Sequence, residues 1–353
     1  MCVYRGFYAY YGAFEVILSL TSEVKCDKIY NEIFEGSGGM IIFSDMNFTL
    51  TEPCVLALGC FDGVHIGHRA VISKARAIAD TEGLSLTIFT FEQPPRNFFA
   101  PDSVPVISTT EDKLDILSSL GVDTAICLPF DKNILSMPAE SFIDEIVFGK
   151  LDARHVVCGY NYSFGKGAVG TPSLIEQKCK QTGRALTVVA EQRYGDVSVS
   201  SSLIRRLIGE GDVHTANKYL CRPYSISSVV VDGQHLARTL GFPTVNTIPQ
   251  KGLLLPKSGV YVTRVSFCGT HRYGITNVGL RPTVGTNILC AETHIFDFEG
   301  NLYGKNVKVE FLHFLRSETQ FDSVQAMAAQ IHKDIDSARA YVEKLVIPHS
   351  PLP

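Results

Sequence analysis

Between about residues 50 and 205, short apolar runs alternate with segments whose apolar residues recur every three or four positions. The runs at 55–58, 84–91, 124–128, 155–159 and 185–189 predict strands. Val71, Ile72, Ala75, Ile78 and Ala79 form one helical stripe, and Leu114, Ile116 and Leu117 form another ahead of a break at Gly121. Strands that are apolar throughout, separated by amphipathic helices, predict an α/β unit with a parallel sheet covered on both faces. Ligands bind beyond the carboxyl ends of such strands. Segments 59–68 and 159–170 both follow strands, so they are expected to flank one crevice.

After residue 220 the period changes to two. Segments 226–231, 259–267, 273–277, 292–298 and 307–314 read as strands separated by glycines and prolines. Val324, Met327, Ile331, Ile335, Ala338 and Val342 then return to helical spacing. A small closed β-barrel followed by a C-terminal helix is the economical architecture.

Composition narrows the function classes. A net charge of −4 across 353 residues gives no electrostatic reason to expect nucleic acid. The ten cysteines include no C-x-x-C pair, which argues for reduced thiols in the cytoplasm rather than a disulfide or metal framework. Residues 1–39 read as an extension outside the core. Their apolar stretch, 6–20, is shorter than a membrane span, carries Glu15 and lacks an obvious cleavage site. Purine-rich codons for 35–39 would suit a ribosome-binding sequence, so synthesis is expected to start at Met40.

The densest chemistry lies in GCFDGVHIGHR, residues 59–69. His65 and His68 share the face of a helix's first turn, where unpaired backbone N–H groups favour phosphate. Gly63 and Gly67 permit close backbone approach. No thiol or hydroxyl nucleophile accompanies the histidines, so in-line transfer with electrostatic stabilisation is the expected chemistry. A two-histidine zinc site lacks a nearby third ligand. The loop GYNYSFGKGAVG offers Asn161 and Lys166 as polar contacts. In VSSSLIRRL a serine caps a helix, or Ser201 and Arg205 meet phosphate there.

In the second half, LGFPTVN places Thr244 and Asn246 on one side of an extended run, where their oxygens suit Mg²⁺ carrying nucleotide phosphates. They are equally ordinary turn residues. Glu292, in AETHIFDF, could face that site as a general base or stand as an exposed strand carboxylate.

These segments, with TFE at 90–92, NVGLRPTVG, LYGK and FLHFLRSE, occur in the order found in bifunctional bacterial riboflavin kinase/FAD synthetases, which the chain resembles from about 40 to 345. The resemblance implies a Rossmann-like nucleotidyltransferase domain at 40–205, a connecting helix at 206–220, a six-stranded riboflavin kinase barrel with a C-terminal helix at 221–345, and a tail at 346–353. It implies phosphorylation of riboflavin to FMN, then adenylylation of FMN to FAD with release of pyrophosphate, with ATP as co-substrate and no nucleic acid or membrane partner. His65 and His68 would act on the ATP phosphates, Gly59, Phe61 and Asp62 would shape the nucleotide pocket, and Ser201 and Arg205 would complete it. Asn161, Arg238 and Arg316 would contact substrate, Thr244 and Asn246 would bind magnesium and phosphate, and Glu292 would accept the hydroxyl proton. The chain departs from the family pattern at Pro94, where a histidine is usual, at Leu203, and at Ala237, Cys221 and Ser228. H-x-G-H alone also resembles other nucleotidyltransferases, and a non-catalytic flavin-binding protein is a further alternative.

Overall fold

The computed structural model describes residues 34–35, 39–48, 50–231, 242–283 and 286–346. Seven strands form the first sheet: β1 (Phe34–Glu35), β2 (Ile41–Phe43), β3 (Cys54–Leu58), β4 (Ser85–Phe91), β5 (Thr124–Leu128), β6 (Ala153–Gly159) and β7 (Ala185–Val189). Their order is β1-β2-β5-β4-β3-β6-β7, parallel throughout except for the antiparallel edge pair β1–β2. All five residues of β3 and of β5 are buried, as central strands covered on both faces require. The five strands read from the sequence are present. The periodic pattern misses β1 and β2 because they are only two and three residues long.

Helix α1 (Ile66–Glu82) buries Val71, Ile72, Ala75 and Ala79 against the sheet and ends at Gly83, whose φ of 65° suits glycine. Helix α2 (Thr110–Ser119) starts at Thr109, whose hydroxyl accepts from the Asp112 N–H, and α3 (Pro172–Thr182) covers the sheet beside β7. A short hairpin, β8 (Arg193–Tyr194) and β9 (Val197–Ser198), leads into α4 (Ser201–Glu210) and α5 (Val213–Leu220).

Six antiparallel strands then close a barrel in the order β10-β11-β14-β13-β12-β15: β10 (Tyr224–Val231), β11 (Val245–Thr247), β12 (Gly259–Phe267), β13 (Thr270–Thr283), β14 (Thr286–Ile295) and β15 (Asn306–Arg316). Strand β11 escapes the alternation pattern because it is three residues long and follows Pro243. The run expected at 292–298 stops at Ile295, two residues before Asp297 turns the chain with a φ of 53°.

Ile204, Ile208, Val213, Ala216 and Leu220 of α4 and α5 share one apolar core with Tyr224, Tyr261, Val265 and Phe311 of the barrel, and Ile107 joins it from the sheet side. Helix α4 therefore runs through residue 205 without interruption, because its apolar face fills the space beside the barrel. On the barrel's other side, Ile331, Ile335, Ala338 and Val342 of α6 (Val324–Val346) cover Val260, Val262, Ile275 and Phe296. Val324, the first residue of the predicted stripe, is exposed. Among the described residues no helix is long and apolar enough to cross a membrane.

Candidate active sites

Strand β3 delivers the chain to a loop of unusual conformation: Phe61, Gly63 and Val64 have φ of 50°, 77° and 41°. A β-branched residue at positive φ costs roughly 1–3 kcal/mol and persists only where its surroundings over-determine it. Those surroundings are specific. Thr90 Oγ1 donates to the Cys60 carbonyl at 2.9 Å. One oxygen of the buried Asp62 carboxylate accepts from the Ile107 and Ser108 N–H groups at 2.9 and 3.4 Å, and the other pairs with Arg205. Arg205 Nε donates to the Pro105 carbonyl at 2.7 Å, and Ser201 Oγ donates to the Asp62 carbonyl at 3.1 Å. The N–H of Gly63 donates to Ser108 Oγ at 3.3 Å, and a Cβ added at Gly63 would lie 2.9 Å from Ile107 Cγ2.

The loop ends in the cap of α1. His65 Nδ1 accepts from the N–H groups of Gly67 and His68 at 3.1 and 3.4 Å. A neutral His65 therefore carries its proton on Nε2, as a donor to a ligand. The His68 ring stacks on it with centroids 3.8 Å apart, and Phe61 meets His68 edge-on. Burial, reinforced by the charges of Arg205 and Arg222, lowers the His65 pKa to about 4. Burial also pushes His68 well below its usual value, with His65, Lys113 and Arg205 adding to the effect. Both imidazoles are neutral at pH 7.

This has a consequence for stability. A histidine whose folded pKa lies below its unfolded value supports the fold above the unfolded pKa and loses that support as pH falls. Taking His65 from 6.5 to about 4, acidification from pH 7 to pH 5 should cost about 2 kcal/mol through this residue alone. Urea unfolding at the two pH values measures it. A His65→Asn variant should show a smaller pH-dependent loss than wild type, and equal losses would show that His65 is not the source.

A cavity of about 660 Å³ opens beyond the strand ends. Gly59, Phe61, His65, Gly67 and His68 line it, together with Asn161 and Ser201. The expectation that segments 59–68 and 159–170 flank one crevice is met. The lining also carries a group of aromatic rings, Phe91, Phe99, Phe130, Phe142, Tyr162 and Phe164. Asp62, Gly63 and Arg205 do not line this cavity. Arg205, expected to contact phosphate, is held by Asp62 and the Pro105 carbonyl, so these residues brace the loop from behind.

The barrel brings the other candidates together. In the β11–β14 pair Asn246 stands opposite Glu292, and in β13–β14 Asn277 does so from the other side. Directly opposed residues share a sheet face. Val245, Ala291 and Val278 belong to the interior cluster, so the row Asn246–Glu292–Asn277 lies on the outer face. Thr244, half-buried, stands two residues before Asn246. Asn246 Oδ1 is buried with no hydrogen-bond partner among the described residues, an acceptor that suits a hard cation or a ligand donor. Arg238 and Ala237 lie outside the described residues.

Arg316 corrects an expectation. Its Nε lies 3.0 Å from both Asp334 oxygens, Nη2 lies 2.8 Å from Oδ2, and Nη1 donates to the Ser317 carbonyl. This arginine holds α6 to the barrel instead of presenting its guanidinium to a substrate. Arg316→Ala would leave Asp334, 4% exposed, as a buried charge without this partner, and should destabilise the chain by about 3–5 kcal/mol. Calorimetry checks this, and an unchanged transition would return Arg316 to the list of substrate contacts.

Several residues escaped the sequence reading. Thr90 was noted only within a motif. Lys113, buried within a polar helix, donates to the Phe91 carbonyl behind the histidines. Asn277 acquires its place only from register. The aromatic lining had a usable signal, since Phe91 ends β4, Phe130 follows β5, and Tyr162 and Phe164 follow β6, where a parallel sheet binds ligands.

Comparison with known proteins matches both units of the chain. The FAD synthetase family profile matches residues 48–203, and the riboflavin kinase profile matches 220–342. A bifunctional riboflavin kinase/FMN adenylyltransferase from Bacillus subtilis is 34% identical over 82% of this chain and 93% of its own. The protein of that name from Escherichia coli K12 is 32% identical with the same coverage. A solved structure named as a macrolide-efflux protein from Streptococcus pneumoniae is 28% identical, with a TM-score of 0.78 over 85% of this chain and 99% of that one. With a parallel-sheet unit and a six-stranded barrel each matched in turn, the chain belongs to the family of bifunctional riboflavin kinase/FMN adenylyltransferases.

Proposed function

We propose that the unit at 221–345 phosphorylates riboflavin to FMN with ATP, and that the unit at 40–205 transfers AMP from a second ATP to FMN, giving FAD and pyrophosphate. The observation that carries the reading is the lining of the 660 Å³ cavity, which brings two imidazoles and a group of aromatic rings together. Neutral imidazoles at a helix N-terminus suit a polyphosphate, and the aromatic rings of the lining suit a flat isoalloxazine ring.

In the adenylyltransferase, the FMN phosphate oxygen attacks the α-phosphorus and pyrophosphate departs in line. His65 donates from Nε2, the orientation its cap fixes, and His68 beside it provides a second imidazole. These donors strengthen as charge develops on the phosphate oxygens, and their fixed placement avoids reorganisation. No covalent enzyme intermediate is needed, because the Ser201 hydroxyl is committed to the Asp62 carbonyl. Asn161 contacts the flavin substrate from the second loop.

In the kinase, Glu292 accepts the proton of the ribityl hydroxyl as it attacks the γ-phosphorus. The oxygens of Thr244 and Asn246 fit Mg²⁺, as the unpartnered Asn246 Oδ1 suggests. When bound, the ion offsets the charge of the ATP phosphates. Arg238 would complete substrate binding. The cytoplasm suits this work, because the chemistry draws on ATP and no disulfide joins the described cysteines.

Purified protein incubated with riboflavin, ATP and Mg²⁺ should yield FMN first and FAD later, resolved by chromatography. FMN alone would overturn the adenylyltransferase assignment, and neither product would overturn both.

A further inference from the structure

We propose that Arg222, at the entrance to the kinase barrel, is a positioning residue for FAD formation: its guanidinium holds the strained loop 61–64 that aims the histidines of the adenylyltransferase. The inference rests on the reading of that cavity given above. Arg222 follows α5 and precedes β10, so it belongs to the barrel side of the chain. Its Nη1 nevertheless donates to the Gly63 carbonyl at 2.8 Å, 159 residues away, and to the Leu220 carbonyl at 3.3 Å.

The position of that contact gives it leverage. Gly63 lies between two non-glycine residues of positive φ, Phe61 and Val64, and two residues before the cap His65. The braces of Asp62 and the Gly63 N–H all come from Arg205, Ser201 and the strap 105–108. The Gly63 carbonyl is fixed instead by Arg222. The strap itself is seated on the barrel: Val106 N–H donates to the Gly252 carbonyl at 2.9 Å, and Leu254 N–H donates to the Val106 carbonyl at 2.8 Å. Ser227 of β10 adds a hydrogen bond to Asp112 at 3.0 Å. The loop is thus clamped from the barrel on two sides, through Arg222 directly and through the strap.

Arg222 is also an uncomfortable place for a cation. Burial, with Arg69 nearby, lowers its pKa to about 10, against the attraction of Asp112 and Asp62. A methionine of similar length would avoid that cost, so holding the loop gives the charge a purpose that packing does not. A backbone carbonyl that turns freely would let Val64 relax and His65 shift. Displacement of about 1 Å in such a site is worth on the order of 100-fold in rate.

The test compares two activities on the full-length chain. Wild type forming FAD from supplied FMN establishes the underlying reading, and its failure to do so is distinct from any result with variants. Arg222→Met should lower kcat for FAD formation on the order of 10- to 100-fold, while FMN formation from riboflavin stays within about twofold. Arg222→Lys, which retains a charged donor but not the fork, should recover part of the loss. FAD formation at the wild-type rate in both variants would overturn the proposal. So would an equal fall in both activities, which would mark Arg222 as a general packing residue. If Arg222→Met does not fold, Arg222→Lys carries the test: unchanged FAD kcat overturns the proposal, and a selective loss of a few fold supports it.

Discussion

Glu292→Gln should lower FMN formation by about 10²- to 10⁴-fold, the usual contribution of a positioned general base, and leave FAD formation from supplied FMN unaltered. The substitution keeps the side chain's size and its place opposite Asn246 and Asn277, and replaces the carboxylate by a neutral amide that cannot accept the proton. That makes it a cleaner probe than alanine, which would open space on the outer barrel face. Initial rates of riboflavin phosphorylation at saturating ATP decide the matter. A rate near wild type would show that the ribityl hydroxyl loses its proton elsewhere and that Glu292 is an ordinary strand carboxylate.

The corresponding experiment on the sheet side is His68→Ala. Loss of one preorganised donor to developing charge typically costs about 10²- to 10³-fold, so FAD formation from FMN should fall by that factor with the kinase unaffected. His68 is the better choice of the two histidines. His65 also caps α1 through Nδ1, and removing a cap costs about 1 kcal/mol of stability, which would confuse the readout. His68 Nδ1 has no hydrogen-bond partner among the described residues, so truncation deprives none of them of a bond to that nitrogen. Equal loss of both activities would indicate misfolding or coupling between the sites and would remove His68 from the proposed role.

Much of this architecture is legible in the chain. Strands β3 to β7 and the core of α1 follow from apolar runs and three-to-four spacing, because buried parallel strands leave no polar alternation to obscure them. Five of the six barrel strands follow from a change of period at residue 220, β11 being too short to show it, and the C-terminal helix follows from the return of helical spacing. The histidine pair is visible because a glycine turn between a strand and a helix is a local event. Even the cap geometry of His65 is a matter of four consecutive residues.

Other features exist only in the folded molecule. Ser201 and Arg205 were identified as site residues by their motif, yet their partners are Asp62 and Pro105, about a hundred or more positions away, and these decide that Arg205 braces the loop instead of lining the cavity. Arg316 has the composition of a substrate contact and the geometry of a helix anchor, because Asp334 sits one helix away. Arg222 carries no local signal at all.

The sequence by itself determined the two folds, the order of their strands along the chain and the location of the phosphate-binding turn, since these depend on local periodicity and on conformations available to short segments. Only the tertiary structure decided which polar groups face a ligand and which hold one another. Charged side chains take their roles from the partners that share their burial, and those partners are brought together by the packing of the sheet against the barrel.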